Sequence, residues 1–238
     1  LAILVCLPSA LFAAAPDVSG TWDAEDMGDF SAATTVWYDV AAISGSTALY
    51  VGYVNGSSVY SALGYLSGGS VSDLNTNTTI YNKTLAGVDY KSTGLSTGVA
   101  YAVGADRAVY KLTRSGKPVS WSLTDLNTPS SWSGNKNIYG IDIYNDDTNY
   151  IWFCGQDGFI GLNTNGGQHD STTDSSDWGH VTINATTNWY RIHAFSGTTA
   201  LAGGEAGNGV YVSAYVPPGA AASTTFTKGS DDLRSVHF

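Results

Sequence analysis

The chain has 238 residues, 43% of them hydrophobic and 12% aromatic, so it can bury a sizeable core and is no disordered polymer. Its net charge is −10, and its ten Lys and Arg do not cluster, which sets aside nucleic-acid binding through phosphate contacts. Only 13% of residues are charged; Gly, Ser, Thr and Asn take their place, a mix that suits short strands joined by tight turns.

Residues 1–15, running from Leu1 to Ala15, carry the apolar core and small-residue end of a secretory signal peptide. With no Met or basic segment before it, the stretch reads as a truncated signal, and the mature chain as secreted or extracytoplasmic. It is too short to span a membrane, and no membrane insertion is expected after its removal. A hydrophobic extension or buried strand is the competing reading. Cys6 falls inside this stretch, which leaves Cys154 as the only cysteine of the mature chain and excludes a disulfide framework. Residues 16–35 form an N-terminal segment in which Val18-Ser19-Gly20-Thr21-Trp22 resembles an outer strand that could close a ring.

From residue 36 the chain repeats. Trp37-Tyr38-Asp39-Val40 begins a sixteen-residue segment that aligns without a gap with the one beginning Trp189-Tyr190-Arg191-Ile192. Gly87-Val88-Asp89-Tyr90 and Gly140-Ile141-Asp142-Ile143 open two further copies. The copies close on Gly52, Gly104, Gly155 and Gly204, spaced by 52, 51 and 49 residues. Each glycine is followed by a polar turn and an apolar pair: Val59-Tyr60, Val109-Tyr110, Phe159-Ile160 and Val210-Tyr211. A weaker fourth strand follows in Ser120-Trp121-Ser122-Leu123 and in Trp178-Gly179-His180-Val181. No long stretch has helical periodicity.

Four antiparallel strands in about fifty residues make a propeller blade. The sequence therefore predicts an all-β fold, a β-propeller fragment of four four-stranded blades at 36–84, 85–136, 137–187 and 188–231. The stretch 232–238, ending Leu233-Arg234-Ser235-Val236-His237-Phe238, reads as the start of a fifth. Blades stack face to face, so their inner strands should be apolar on both sides, as in Tyr150-Ile151-Trp152-Phe153-Cys154-Gly155. A β-solenoid, which would use a shorter repeat, and two stacked β-sandwiches are the alternatives.

Aligning the first strands places Asp39, Asp89, Asp142, Arg191 and Ser235 in one column facing the channel. Carboxylates there could bind a cation or a cationic partner, or act as acid and base. The competing reading, favoured because the pattern repeats, has each Asp satisfying backbone donors in its own blade. His193 and His237 form a second column without a third metal ligand, His169 and His180 read as satisfied or exposed, and no metal site or cofactor is expected. Asp146, Asp147, Asp170, Asp174 and Asp177 lie in acidic loops that could bind calcium weakly but lack the spacing of an EF-hand loop, so solvated turns are the favoured reading. Cys154 sits in an apolar strand and reads as buried and inert. Most aromatics pack between blades; Trp22, Trp132 and Trp178 are the candidates for exposure to a glycan. Four sequons begin at Asn55, Asn77, Asn82 and Asn184.

The unit of strand, turn, apolar pair, polar hairpin and Trp is similar to the Asp-box (bacterial neuraminidase) repeat and to the repeats of the photosystem II assembly and stability factor family. The nearest hairpins are Asn163-Thr164-Asn165-Gly166-Gly167-Gln168 and Thr113-Arg114-Ser115-Gly116-Lys117, the latter followed by Trp121. Both depart from the repeat, with Asn165 or Ser115 in place of its Asp. The resemblance implies a propeller and hairpins that brace blades; an activity does not follow from it. The expected function is a non-catalytic scaffold, assembly-factor-like, binding a protein or glycan partner. The alternative is a glycoside hydrolase of the Asp-box kind with part of its site in further blades. The arginine triad of a sialidase-like site finds no match among Arg107, Arg114, Arg191 and Arg234.

Overall fold

The computed structural model describes residues 35–55, 60–74, 83–126, 128, 136–144, 147–167, 177–215, 221–227 and 229–233. Residues 1–34 and 234–238 fall outside, and with them the signal-like stretch, Trp22, Ser235 and His237. Trp132, Asp146, His169, Asp170 and Asp174 also lie outside the described residues.

Among the described residues the strands form four four-stranded sheets, each an antiparallel meander in chain order. The first is β1 (Thr35–Ser44), β2 (Thr47–Val54), β3 (Tyr60–Ser67) and β4 (Ser70–Asp73). The second is β5 (Leu85–Gly94), β6 (Thr97–Gly104), β7 (Val109–Ser115) and β8 (Ser120–Asp125). β9 (Ile138–Ile143), β10 (Ile151–Gly155), β11 (Phe159–Asn163) and β12 (Trp178–Thr182) make the third. β13 (Trp189–Ser196), β14 (Thr199–Gly204), β15 (Asn208–Ser213) and β16 (Ala222–Thr227) make the fourth. The first strands lie side by side, β1 against β5, β5 against β9 and β9 against β13. The protein is a β-propeller of stacked blades.

Burial explains why the inner strands do not alternate. All five residues of β10 and all five of β11 are buried, because each lies between two neighbouring sheets. The core is a series of seams between blades. Leu49, Val51 and Leu63 of the first blade meet Leu85, Val88 and Leu112 of the second. Val99, Tyr101 and Val103 meet Ile138, Ile143 and Phe153, and Trp152, Cys154 and Ile160 meet Trp189, Ile192 and Val210. At the outer rim β16 is exposed throughout.

The repeated closing glycines have a steric cause. At Gly52, Gly104, Gly155 and Gly204 a Cβ would run into the carbonyl oxygen of Val36, Thr84, Asn137 and Asn188 respectively. Each of these carbonyls precedes the bulge that opens the first strand. The bulge skips Tyr38, Ala86, Tyr139 and Tyr190 in the four blades. An extra residue at a strand's start re-aims its side chain, here toward one mouth of the channel.

After the closing glycine, blades two to four make the same short turn, with Asp106, Asp157 and Ala206 at φ of 51°, 53° and 51°. The N–H of Asp106 donates to Asn137 Oδ1 at 3.3 Å and that of Asp157 to Asn188 Oδ1 at 3.1 Å, tying each turn to the next blade. Ala206 N–H makes the corresponding bond to Asp232 Oδ1 at 3.1 Å.

Candidate functional site

The channel wall is built by alternate residues of the first strands, because side chains two apart share a face. Strand pairing shows that the aspartates do not form the single ring expected from alignment. Asp39 and Arg191 pair with Val51 and Gly203, the residues just before the closing glycines. In the middle blades that position holds Gly87 and Gly140, opposite Val103 and Cys154. Asp89, Asp142 and His193 lie one tier further in, level with Ala41. The hairpins joining the first two strands are longer in blades two and three, so aligning on the aspartates slips the register by two residues.

The aspartates do satisfy backbone donors, Asp39 and Asp89 in their own blade, at Val40 and Tyr90, and all three in the next. Val88 N–H donates to Asp39 Oδ2 at 3.0 Å, Ile143 N–H to Asp89 Oδ2 at 2.7 Å and Ala194 N–H to Asp142 Oδ2 at 2.7 Å. Each carboxylate latches its blade to its successor. Asp89 Oδ1 also accepts from Tyr90 N–H at 2.8 Å. Burial, aided by the Asp142 charge, pushes Asp89 up to about 6, against the opposing pull of the Ile143 amide and Lys91. Burial also raises Asp39, and the Arg191 charge opposes it.

Arg191 is engaged through both terminal nitrogens. Nη2 donates to Asp39 Oδ1 at 3.1 Å, and Nη1 donates to Tyr139 O at 3.3 Å and Tyr190 O at 3.5 Å. His193 Nδ1 lies 3.5 Å from Asp142 Oδ2. Among the described residues no His, Cys, Asp and Glu group together as metal ligands would.

Above this pair the channel opens into a cleft of about 570 Å³ lined by Tyr38, Tyr139, Tyr190 and Arg191, with Thr84, Ala86, Ala105 and Asn137. Three of the four bulge positions thus present tyrosines to one opening. Tyr38 is half exposed and stacks on Tyr53, with ring centroids 5.7 Å apart and planes at 29°. Tyr139 and Tyr190 lie 5.7 Å apart, and the Tyr190 hydroxyl bonds Glu205 Oε1 at 3.0 Å. Sequence reasoning missed this set. Its signal was the Trp37-Tyr38 and Trp189-Tyr190 dipeptides, which read as blade packing until the bulge is known.

No family model matches the chain, and no curated protein matches it. Among solved structures, Chaetomium thermophilum Sqt1 bound to the N-terminus of the ribosomal protein L10 is similar over 84% of this chain and 66% of that one. Its TM-score is 0.46 and its identity 10%. YCF48 bound to a D1 peptide is similar over 75% of this chain and 77% of that one, with a TM-score of 0.30 and 11% identity. The propeller architecture of this chain rests on its own strand pairing and blade seams.

Trp178 corrects an expectation. It is 2% exposed and stacks on Phe153 at 5.9 Å, with planes at 11°, so it cements the seam between blades two and three and is no glycan platform. His180 does lie in an outer strand, half-buried and stacked on Phe159 at 5.8 Å. Cys154 is fully buried and its thiol is pushed up, which removes the thiolate a nucleophile needs. Asp177 accepts from Asn165 Nδ2 at 2.9 Å, and Asn163 Oδ1 accepts from the N–H groups of Asn165 and Gly167 at 3.2 and 2.6 Å. This hairpin is a brace made by side-chain amides.

Proposed function

We propose that the protein is a non-catalytic binding scaffold whose protein partner docks at the tyrosine-lined mouth. The observation that carries this reading is the convergence of Tyr38, Tyr139 and Tyr190 from three blades onto one open cleft over Arg191. Tyrosine combines large contact area with a hydroxyl and few rotatable bonds, which is why it is enriched where proteins bind one another. The channel carboxylates already hold blades together, so this reading leaves them a structural task. Export directed by residues 1–15 and an Asp-box character for the stretches Thr113–Lys117 and Asn163–Gln168 belong to the same proposal.

The test compares the wild-type chain with a Tyr38→Ala/Tyr139→Ala double variant and with Leu95→Ala, which changes an exposed residue in another turn. Partners captured from the source organism are then titrated directly. A protein whose affinity falls about tenfold or more with the double variant, and is unchanged by Leu95→Ala, supports the reading. Loss of a glycan in place of a protein shifts the ligand to a sugar, and partners indifferent to the double variant overturn the site.

One observation favours the alternative, a glycoside hydrolase. Asp89 is a partly buried carboxyl raised to about 6 beside a second one, the arrangement that supplies a general acid. Release of reducing ends from polysaccharides, abolished by Asp89→Asn, would replace the scaffold reading.

A further inference from the structure

A second polar pocket opens at the other end of the blades, on the side of the β5–β6 and third-to-fourth-strand hairpins. It measures about 250 Å³, lies between blades two and three, and is lined by Thr93, Tyr101, Lys111, Thr113, Thr148 and Asn165, among others. Lys111 is half-buried there, and desolvation lowers its pKa. An ammonium taken from water is stabilised by a nearby carboxylate. Among the described residues Lys111 has none: its bond is to the Gly166 carbonyl at 2.6 Å, beside the Tyr101 ring at 5.8 Å.

That carbonyl is saturated, because the Tyr101 hydroxyl donates to it as well, at 2.6 Å. The neighbouring amide is also occupied. Asn165 Nδ2 donates to Asp177 Oδ2, and Asn165 Oδ1 accepts from Asn163 Nδ2 at 2.8 Å. In a chain with twenty Asp and Glu against ten Lys and Arg, no carboxylate lines this pocket among the described residues. Lys111 therefore keeps donors for an anion that none of the described residues provides, and the Thr113 and Thr148 hydroxyls flank the space, while that of Thr93 donates to Thr97 at 3.1 Å.

We propose that this pocket binds the carboxylate of a small hydroxylated acid, a sugar acid unit, with Lys111 as its charge partner and Thr113 and Thr148 as hydroxyl partners. The volume admits one such unit. The site is independent of the tyrosine mouth, which lies at the opposite end of the first strands.

The experiment titrates the full chain with glucuronate, with glucose as the uncharged match and acetate as the bare carboxylate, by calorimetry and by amide chemical shifts. Saturable glucuronate binding at least about tenfold tighter than either control, with shifts at Gly166 and Thr113, is the expected result. Lys111→Met should abolish it, while Lys111→Arg, which keeps the charge, should retain binding within about tenfold. Thermal unfolding of both variants shows that the fold is intact. Absence of saturation at about 50 mM glucuronate, equal binding of acetate or glucose, or full binding by a folded Lys111→Met variant would each overturn the proposal.

Discussion

The Arg191 guanidinium reaches the Asp39 carboxylate at 3.1 Å although the two residues are 152 positions apart and belong to the first and fourth blades. No apolar seam joins those two blades among the described residues, so this pair spans the channel as a polar strut.

Arg191→Met should therefore destabilise the fold by about 1–3 kcal/mol at pH 7, a figure reduced from that of a fully buried pair because both side chains keep some solvent contact. Asp39 would be left as a largely buried, uncompensated charge. Its raised pKa would rise further, so it would bind a proton under mild acid. The deficit should shrink between pH 7 and pH 5, and urea unfolding at both values measures it. A deficit that grows as pH falls would contradict the strut.

Asp89 gives the chain a second pH signature. Its folded pKa of about 6 lies above the unfolded value of 3.8, so the folded state holds the proton more tightly. The stability it contributes is fully present below 3.8 and is lost as pH rises through 6. Asp142 and Lys91 face it, and His193 lies on the far side of Asp142. The difference in stability between wild type and Asp89→Asn should change by on the order of 1–3 kcal/mol from pH 4 to pH 7. Denaturant midpoints taken across that range should show the wild-type slope flattened in the variant.

Gly155→Ala should cost about 2 kcal/mol or more, since its Cβ would meet the Asn137 carbonyl and strand β9 would have to move. Gly45→Ala, where a Cβ meets nothing within 4 Å, is the matched control and should lie within about 0.5 kcal/mol of wild type. Thermal melts of the two side by side decide the point.

Trp178→Ala should destabilise by about 3–5 kcal/mol through the cavity left against Phe153 and leave binding at either mouth unchanged. A folded variant that loses a ligand and keeps its melting temperature would return Trp178 to the surface.

The sequence by itself determined the blades. Glycines spaced by 52, 51 and 49 residues mark positions where a backbone carbonyl lies too close for a Cβ, a constraint local to each hairpin. Runs such as Ile151 to Gly155 announce strands covered on both sides. The tertiary structure decided what those blades present. Which aspartates share a tier depends on hairpin lengths that alignment absorbs without notice. Each carboxylate accepts from a residue about fifty positions away, as Asp39 does from Val88. Tyr38, Tyr139 and Tyr190 look like packing residues in one dimension, and only the bulge turns them to a common mouth. The same holds for Trp178, whose burial is set by Phe153 and the seam of a neighbouring blade. Hydrophobic periodicity is a property of one strand, whereas the direction and company of a side chain arise from strands that meet only after the chain has wound around its axis.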